Sequence, residues 1–253
     1  MLEHFSVIWS FRNRLDELKR SIFTADNTCD KSVEFHLVDA SSQEEVIKDL
    51  RAFCNTIERK IRISESSYRS SLSEAWNFGM MTTDCRYVIF ASSDVIFSKQ
   101  GWYEALRDAV STGLQYVIMG SHSVFAFDKK AIPVMGWFDE TFALGPHFDV
   151  DFMIRASEKG VPYANIGNAE YFTHVGIPGS YLERIKNPLD NYLPMNDFTN
   201  EYVFKSKWET SWGGWKSAFE AGQDPPHPPT HISQVKRLKP DIDPHPLYTL
   251  KYL

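Results

Sequence analysis

The sequence lacks the features that mark membrane, secreted and disulfide-rich proteins. No apolar run reaches the roughly 18 residues that a membrane-spanning helix requires. The three cysteines form no CxxC pair, and no Asn-x-Ser/Thr glycosylation sequon occurs, which is typical of proteins from a reducing compartment. No basic segment precedes the first apolar run. We therefore expect a cytoplasmic protein with neither a membrane span nor a secretory leader.

Two further absences limit the ligands that the chain could bind. The net charge of -6 and the pI near 5.8 argue against a nucleic-acid-binding protein, because such proteins carry a basic surface. Neither a GxxxxGK[ST] phosphate loop nor a GxGxxG dinucleotide motif occurs. A nucleotide bound here would need another way to hold its phosphates. A divalent cation could do so and is compatible with the acidic composition.

The chain does contain an alternation of strand and helix patterns. Apolar runs at 5–11, 33–38, 60–64 and 86–91 have the length of buried strands, and helical segments separate them. With 43% apolar and 24% charged residues, 253 residues suffice for one large core. This alternation predicts an α/β fold with a mainly parallel sheet flanked by helices.

The C-terminal part of the sequence has a different character. A helix is predicted over 149–160, but the pattern weakens after about residue 177, and residues 225–231 indicate an extended, proline-rich segment. We predict a core over residues 1–180. Residues 181–253 are expected to form an extended tail that packs on the core and helps to shape a substrate site.

A single carboxylate follows the fourth predicted strand. Tyr87 to Phe90 form its apolar part, and Ser92 and Ser93 lead to Asp94. Ligands of open α/β sheets bind beyond the carboxyl ends of the strands, and a carboxylate there can hold Mg²⁺ or Mn²⁺ while positions stay open for phosphates. The same residue can equally be a turn former, and the strand pattern does not decide between the two.

Two aspartates open the helix predicted over 149–160. Asp149 and Asp151 point in different directions because they lie two positions apart, and Arg155 follows Asp151 at i+4. A carboxylate that faces a cleft can act as the general base for a hydroxyl group. Both aspartates are also explained by the favourable interaction of acidic side chains with a helix N-terminus.

Three other features carry functional side chains. His174 ends the short strand predicted at 171–174 and is either a metal ligand or a structural histidine. Asp39 ends the second strand, where it either binds a nucleoside or forms a turn with the serines that follow. Trp212 and Trp215 belong to a helical aromatic stripe, which either docks a tail helix or offers a platform for a sugar ring.

Taken in order, seven segments of the chain resemble the GT-A glycosyltransferases, especially those of family 2. The segments are SVIWSFRNR (6–14), LVDASS (37–42), AWNFG (75–79), YVIFASSDVIF (87–97), GWFDETF (136–142), FDVDFMIRASEKG (148–160) and the pair Thr173–His174. The resemblance implies a GT-A-like, Rossmann-like fold. It also implies an inverting transferase that moves a sugar from a nucleotide-diphosphate-sugar, UDP- or GDP-linked, to a hydroxyl of a glycan or glycoconjugate.

The resemblance also implies roles for individual residues. Asp149 looks like the catalytic base, and Asp94 and His174 look like ligands of a Mn²⁺ or Mg²⁺ ion. The resemblance implies donor binding by Phe11, Arg12, Asn13, Asp39, Asn77, Ser92, Ser93 and Asp94. The acceptor side is expected to include Asp151 and, from the aromatic stripe, Trp212 and Trp215.

The chain departs from the family pattern at three places. Ser92 replaces the first acid of the DxD metal motif, Phe148 replaces the acid before the base, and Ser10-Phe11-Arg12 replaces the usual Pro-Thr-Tyr. A second interpretation is therefore a catalytically silent protein on the same fold that binds a nucleotide-sugar or a partner. A third, a metal-dependent nucleotidyltransferase, would need a glycine-rich phosphate loop after the first strand, and the sequence has none.

Overall fold

Four parallel strands form the centre of the fold in the computed structural model, which describes residues 4–66, 70–140, 142, 148–167, 170–175, 204, 207–208 and 248–252. These strands are β1 (Phe5–Phe11), β2 (Glu34–Asp39), β3 (Ile61–Ser66) and β4 (Tyr87–Ser92). β1 lies between β2 and β4, and β2 lies between β1 and β3. Each matches a strand predicted from an apolar run, with ends that differ by at most two residues.

Successive side chains of the central strands enter two different cores. On β1, Val7 and Trp9 pack in a first core, whereas Ile8 between them packs in a second core on the other face of the sheet, and all three are fully buried. Side chains of a strand alternate between the faces of its sheet, so a strand that is covered on both faces must be apolar at every position. This explains the continuous apolar runs of the sequence.

Helices cover both faces of the sheet, as the alternation predicts. They are α1 (Leu15–Thr28), α2 (Glu44–Cys54), α3 (Leu72–Thr82), α4 (Trp102–Ser111), α5 (Ile132–Met135) and α6 (Phe148–Glu158). α1, α2 and α4 contribute to the first core, and α3, α5 and α6 contribute to the second. None of the helices in the described part of the chain has both the length and the apolar character needed to cross a membrane.

Beyond β4 the sheet changes to antiparallel pairing. The remaining strands are β5 (Val95–Phe97), β6 (Tyr116–Met119), β7 (Ser121–Asp128), β8 (Tyr163–Asn165), β9 (Phe172–His174) and β10 (Tyr248–Tyr252). The main sheet has the order β10-β3-β2-β1-β4-β7-β6-β8, and β5 pairs with β9 in a separate antiparallel ribbon. Strand-like runs at 115–119, 123–127, 161–166 and 171–174 predict the later strands other than β5 and β10, but not the order in which they pair.

Gly79 allows α3 to approach β1 closely. A Cβ atom at this position would lie 2.7 Å from Cγ2 of Ile8, which is closer than side chains can pack. The helix begins with a capping box, in which Ser71 Oγ accepts from Glu74 N (3.1 Å) and Glu74 Oε2 accepts from Ser71 N (2.7 Å). The predicted helix is therefore present despite its glycine, and Gly79 is the position at which it packs on the sheet.

Parts of the C-terminal extension contact the core. Phe204 and Trp208 are buried in the second core, and Lys207 Nζ lies 2.6 Å from Asp139 Oδ2. β10 adds an antiparallel strand beside β3. These contacts agree with an extension that packs on the core, while the boundary at residue 180 stays a prediction. The predicted features that lie outside the described residues are Trp212, Trp215 and the proline-rich segment 225–231.

Candidate functional site

The carboxyl ends of β1 and β2 bring together the loops that were expected to bind a nucleoside. Phe11 and Asp39 are partners in the register of the two strands. The loops that follow are joined through Asn13, whose N–H donates to Ser42 Oγ (2.8 Å) and whose Oδ1 accepts from Gln43 N (3.0 Å). Asn13 adopts a positive φ of 59°, a conformation that asparagine tolerates better than most residues. The two loops therefore form one hydrogen-bonded unit.

Asp39 is a buried carboxylate at the end of β2. Its two oxygens lie 2.9 and 3.1 Å from Ser42 N. Burial raises the pKa of Asp39, whereas the hydrogen bonds from Ser42 and the positive charge of Arg12 act in the opposite direction. Arg12 is held beside it by a 3.4 Å hydrogen bond from its Nε to Ser41 O. When ionised, this carboxylate can only accept hydrogen bonds, so it suits a ligand that presents an N–H group.

Two residues that were expected to bind the donor have side chains directed into the interior. Phe11 is buried, and its ring packs in the first core. Asn77 on α3 is fully buried, and its amide exchanges two 2.9 Å hydrogen bonds with the backbone of Phe138 and donates to Glu140 Oε1 at 3.0 Å. Asn77 thus holds the segment before α6. Glu140 is a residue that the sequence analysis did not single out, although it lies in one of the seven segments.

Asp94 and His174 meet at the carboxyl end of β4. β4 ends at Ser92, and Ser93 and Asp94 form a turn into β5, where Val95 pairs with His174 of β9. Asp94 Oδ1 lies 3.0 Å from His174 Nε2. The two side chains are 9% and 44% exposed, so the pair opens towards solvent on the histidine side. The structure thus brings together the two residues expected to bind a cation, although 80 positions separate them.

The 3.0 Å separation of these two atoms is that of a hydrogen bond, and it is also compatible with two ligands of one divalent cation. Neighbouring ligands of an octahedral ion with bonds of about 2.1 Å lie about 3 Å apart, which is the distance between Asp94 Oδ1 and His174 Nε2. A carboxylate oxygen and an imidazole nitrogen both suit Mn²⁺. Within the described ranges, no group of three or more His, Cys, Asp or Glu side chains gathers that could hold a metal. The pair could supply two ligands to such an ion.

Asp149 lies at the N-terminus of α6 with part of its carboxylate exposed. Its side chain is 24% exposed, Oδ1 accepts a hydrogen bond from Val150 N (2.9 Å), and Oδ2 lies 3.5 Å from His122 Nδ1. His122 is on β7, which runs antiparallel to β4 with Val124 opposite Ala91. Two residues beyond that pair, His122 lies beside the turn after β4. Asp149 therefore lies at the same edge of the sheet as Asp94.

No sequence pattern singles out His122. It lies one residue before the strand expected at 123–127, and no motif marks it. Burial lowers the pKa of His122, while the negative charge of Asp149 acts in the opposite direction. Only the antiparallel register of β4 and β7 could have indicated it, and the sequence does not predict that register.

Asp151 lies in the interior and not at the acceptor side that the resemblance implies. Its side chain is fully buried, and Oδ2 accepts from Arg155 Nε at 2.9 Å, as the i+4 spacing predicts. Oδ1 lies 2.7 Å from Lys207 Nζ and accepts from Trp208 Nε1 at 3.0 Å. Lys207 also pairs with Asp139. These five residues form an ionic cluster that joins α6 to the C-terminal extension.

Phe148, which stands where the family pattern has an acid, belongs to an aromatic cluster. Its ring centroid lies 5.1 Å from that of Trp76 and 5.8 Å from that of Phe138, and it is buried. A carboxylate at this position would need a polar partner in an apolar environment. The replacement of the acid therefore follows from the packing of α6 on the second core.

The comparisons with known proteins agree with this geometry. A sequence profile described as Glycosyl transferase family 2 matches residues 6–167, a stretch that contains Asp39, Asp94, His122 and Asp149. No curated protein matches the chain in a sequence search.

Two solved structures share the fold at low sequence identity. The mannosyltransferase PcManGT from Pyrobaculum calidifontis, in complex with GDP-Man and Mn²⁺, superposes with a TM-score of 0.55 at 15% identity, over 72% of this chain and 60% of that one. TarS from S. aureus superposes with a TM-score of 0.58 at 13% identity, over 85% of this chain and 45% of that one. The expected GT-A-like fold is confirmed, and the chain spans less than two thirds of the length of either protein.

Proposed function

The chain belongs to glycosyl transferase family 2, and from that premise we propose that it moves a sugar from a nucleotide-diphosphate-sugar to a hydroxyl acceptor. The observation that carries the proposal is the 3.0 Å approach of Asp94 and His174 at the sheet edge that also bears Asp39 and Asp149. The GDP-Man and Mn²⁺ bound to the mannosyltransferase of similar fold support a donor and a cation of the same classes here.

The donor nucleoside binds at the loops after β1 and β2. Asp39 accepts hydrogen bonds, and uracil and guanine both present a ring N–H beside a carbonyl group, which is the edge that a carboxylate recognises. Arg12 contributes positive charge close to Asp39. The proposed donor is therefore UDP- or GDP-linked.

Asp94 and His174 would hold a Mn²⁺ or Mg²⁺ ion together with the donor phosphates. When bound, such an ion neutralises the charge that develops on the leaving diphosphate. Ser92, which replaces an acid of the DxD motif, is half-buried and pairs with Ser10 of β1 in the strand register. With two ligands from the part of the chain that the structure describes, ion binding and donor binding are expected to reinforce each other, because each supplies ligands or charge to the other.

Asp149 acts as the general base of a single inverting displacement. Its carboxylate accepts the proton of the acceptor hydroxyl as the hydroxyl oxygen forms a bond to the anomeric carbon of the sugar. The bond from that carbon to the phosphate oxygen breaks, and its electron pair leaves with the nucleoside diphosphate. The exposed fraction of Asp149 supports this role, because the carboxylate must reach an acceptor. The acceptor is proposed to be a glycan or glycoconjugate that the C-terminal extension helps to bind.

A cytoplasmic location is part of the proposal. Cys54 and Cys85 are buried free thiols, and Cys29 is a half-buried one, which suits a reducing compartment. Fractionation of cells that express the tagged chain tests this point, and recovery in a secreted or membrane fraction would contradict it.

The experiment that tests the function is a thermal-shift screen of nucleotide-sugars with and without Mn²⁺. A ligand that binds the folded state raises its apparent stability, so we expect one UDP- or GDP-sugar to raise the melting temperature, and to do so more strongly with Mn²⁺. That donor is then supplied with a panel of hydroxyl acceptors, and sugar transfer is measured by mass spectrometry.

Other results of the same screen would point to the other two interpretations. A donor that binds but is neither transferred nor hydrolysed across the panel would favour the catalytically silent protein. Consumption of a nucleoside triphosphate with release of pyrophosphate would favour a nucleotidyltransferase. Either result would overturn the proposed function.

A further inference from the structure

His122 lies against Asp149 and belongs to none of the motifs that carry the family resemblance. We propose that His122 is a positioning residue: its Nδ1–H donates to Asp149 Oδ2 and holds the carboxylate in the orientation that accepts the acceptor proton. The catalytic part of this proposal rests on the proposed function, because it takes Asp149 as the base. The contact itself can be tested without turnover.

The first support is the environment of the Asp149 carboxylate. Val150 N donates to Oδ1 at 2.9 Å, which fixes one oxygen. His122 Nδ1 lies 3.5 Å from the other oxygen, and the two side chains are 21% and 24% exposed. That separation is about 0.5 Å longer than a formed hydrogen bond, and catalytic hydrogen bonds commonly tighten when substrates bind. A formed hydrogen bond from His122 would hold the second oxygen as well, so that the carboxylate keeps one plane and still has lone pairs for an acceptor.

The backbone that carries His122 is fixed by a tight turn between β6 and β7. Gly120 has a positive φ of 72°, and Asn165 of β8 accepts from Gly120 N (3.1 Å) and donates to Gly120 O (3.4 Å). The pairing of β6 with β7 shifts register between Ile118 and Met119. Such irregularities re-aim side chains beside active sites. Here the shift lies just before His122, whose ring lies beside Asp149 at the N-terminus of α6.

The ring of His122 is fixed by aromatic neighbours. Its centroid lies 6.3 Å from that of Tyr116 and 6.0 Å from that of Phe125, with the Phe125 ring at a steep angle to it. Tyr116 and Phe125 are fully buried, so their rings have little freedom to move away from the imidazole. The imidazole is thereby held with Nδ1 towards Asp149.

The tautomer of His122 follows from its surroundings. Burial lowers the pKa of His122, so the ring is neutral near pH 7 and carries one N–H. Its Nε2 is buried, and no atom of the described residues forms a hydrogen bond with it. An ionised carboxylate can only accept. The proton therefore resides on Nδ1, where it meets Asp149, and this is the less common tautomer of a free histidine side chain.

Kinetics with three variants test the positioning role. His122→Phe keeps a ring but removes the donor, and we expect kcat to fall roughly tenfold to hundredfold, the effect of losing a hydrogen bond to a charged group, while KM for the donor changes less than about twofold. His122→Asn restores an N–H near the position of Nδ1 and should recover most of kcat. His4→Phe, at an exposed position before β1, is the matched control and should behave as the parent chain.

Two kinetic results would overturn the proposal. One is an unchanged kcat in His122→Phe, and the other is a His122→Asn variant that is no more active than His122→Phe. Circular dichroism melting of each variant separates a loss of fold from a loss of positioning.

A spectroscopic test separates this proposal from the proposed function. In ¹H–¹⁵N long-range spectra of histidine-labelled protein at pH 7, we expect His122 as the neutral Nδ1–H tautomer in the parent chain. In Asp149→Ala we expect a shift towards the common Nε2–H tautomer. This outcome supports the contact even if no donor or acceptor is turned over. An Nε2–H tautomer in the parent chain would refute the contact regardless of the reaction.

Discussion

The sheet edge and the ionic cluster use the same residue type for opposite purposes. Asp149 at the edge is partly exposed and has one backbone donor and one neutral imidazole beside it. Asp151, two positions further along α6, is fully buried and meets three donors that include two cations. Few partners leave a carboxylate free to react, whereas many partners hold it as a structural anion. Under the proposed function, the number of partners, and not the residue type, separates the aspartate proposed as the base from the structural one.

The largest expected effect is on turnover and tests the proposed role of Asp149 as the general base. Asp149→Asn removes the proton acceptor while keeping the shape of the side chain and its place at the helix N-terminus. We expect the rate of sugar transfer to fall roughly 10²- to 10⁴-fold, the usual contribution of a general base, with little change in melting temperature. Initial rates with the donor found in the screen, measured with circular dichroism melts, give both values. Unchanged turnover would exclude Asp149 as the base.

The second expected effect is on stability and tests the structural role of Asp151. Asp151→Asn leaves Arg155 and Lys207 buried with one anion fewer, and breaking a buried ion pair in this way costs about 3–5 kcal/mol of unfolding free energy. Urea unfolding followed by tryptophan fluorescence measures the change, and Asp149→Asn is the matched control on the same helix. If the two variants unfolded at the same urea concentration, the contrast between the two aspartates would be wrong.

A milder variant sharpens this test of the ionic cluster. Trp208→Phe keeps the buried ring but removes the N–H that donates to Asp151 Oδ1. Its cost should be smaller than that of Asp151→Asn, about 1.5–3 kcal/mol for a hydrogen bond to a charged group. The reverse order of the two costs would indicate that the ring, and not the charge, joins the extension to α6.

The smallest expected effect concerns the cation pair at the edge. Asp94→Asn and His174→Gln each remove one of the two proposed ligands. We expect Mn²⁺ to bind at least about tenfold more weakly, because even the loss of a group that only supports a metal ligand lowers metal affinity by about tenfold or more. Electron paramagnetic resonance of Mn²⁺ in the presence of UDP or GDP measures the affinity. Asp108→Asn, an exposed substitution on α4, is the control. Equal affinity in all variants would remove the metal role from Asp94 and His174.

The centre of the fold could be predicted because the sequence patterns that indicate its strands and helices are local. Each central strand is an apolar run and each helix an apolar periodicity, so the parallel α/β centre follows from short stretches of sequence. Pairing beyond β4 depends on contacts between distant segments, and β10 lies far from its partner β3 along the chain. For the same reason the sequence does not predict the antiparallel register that brings His122 to the site.

The candidate site divides in the same way. Carboxylates that follow β2 and β4 and that begin α6 are visible in the sequence, because chain order puts them at strand and helix ends. Their partners depend on the folded chain, which joins Asp94 to His174, puts His122 beside Asp149 and buries Asp151 in the ionic cluster. Burial and hydrogen bonding at a position depend on which side chains from distant parts of the sequence pack there, and a local sequence pattern does not contain this information.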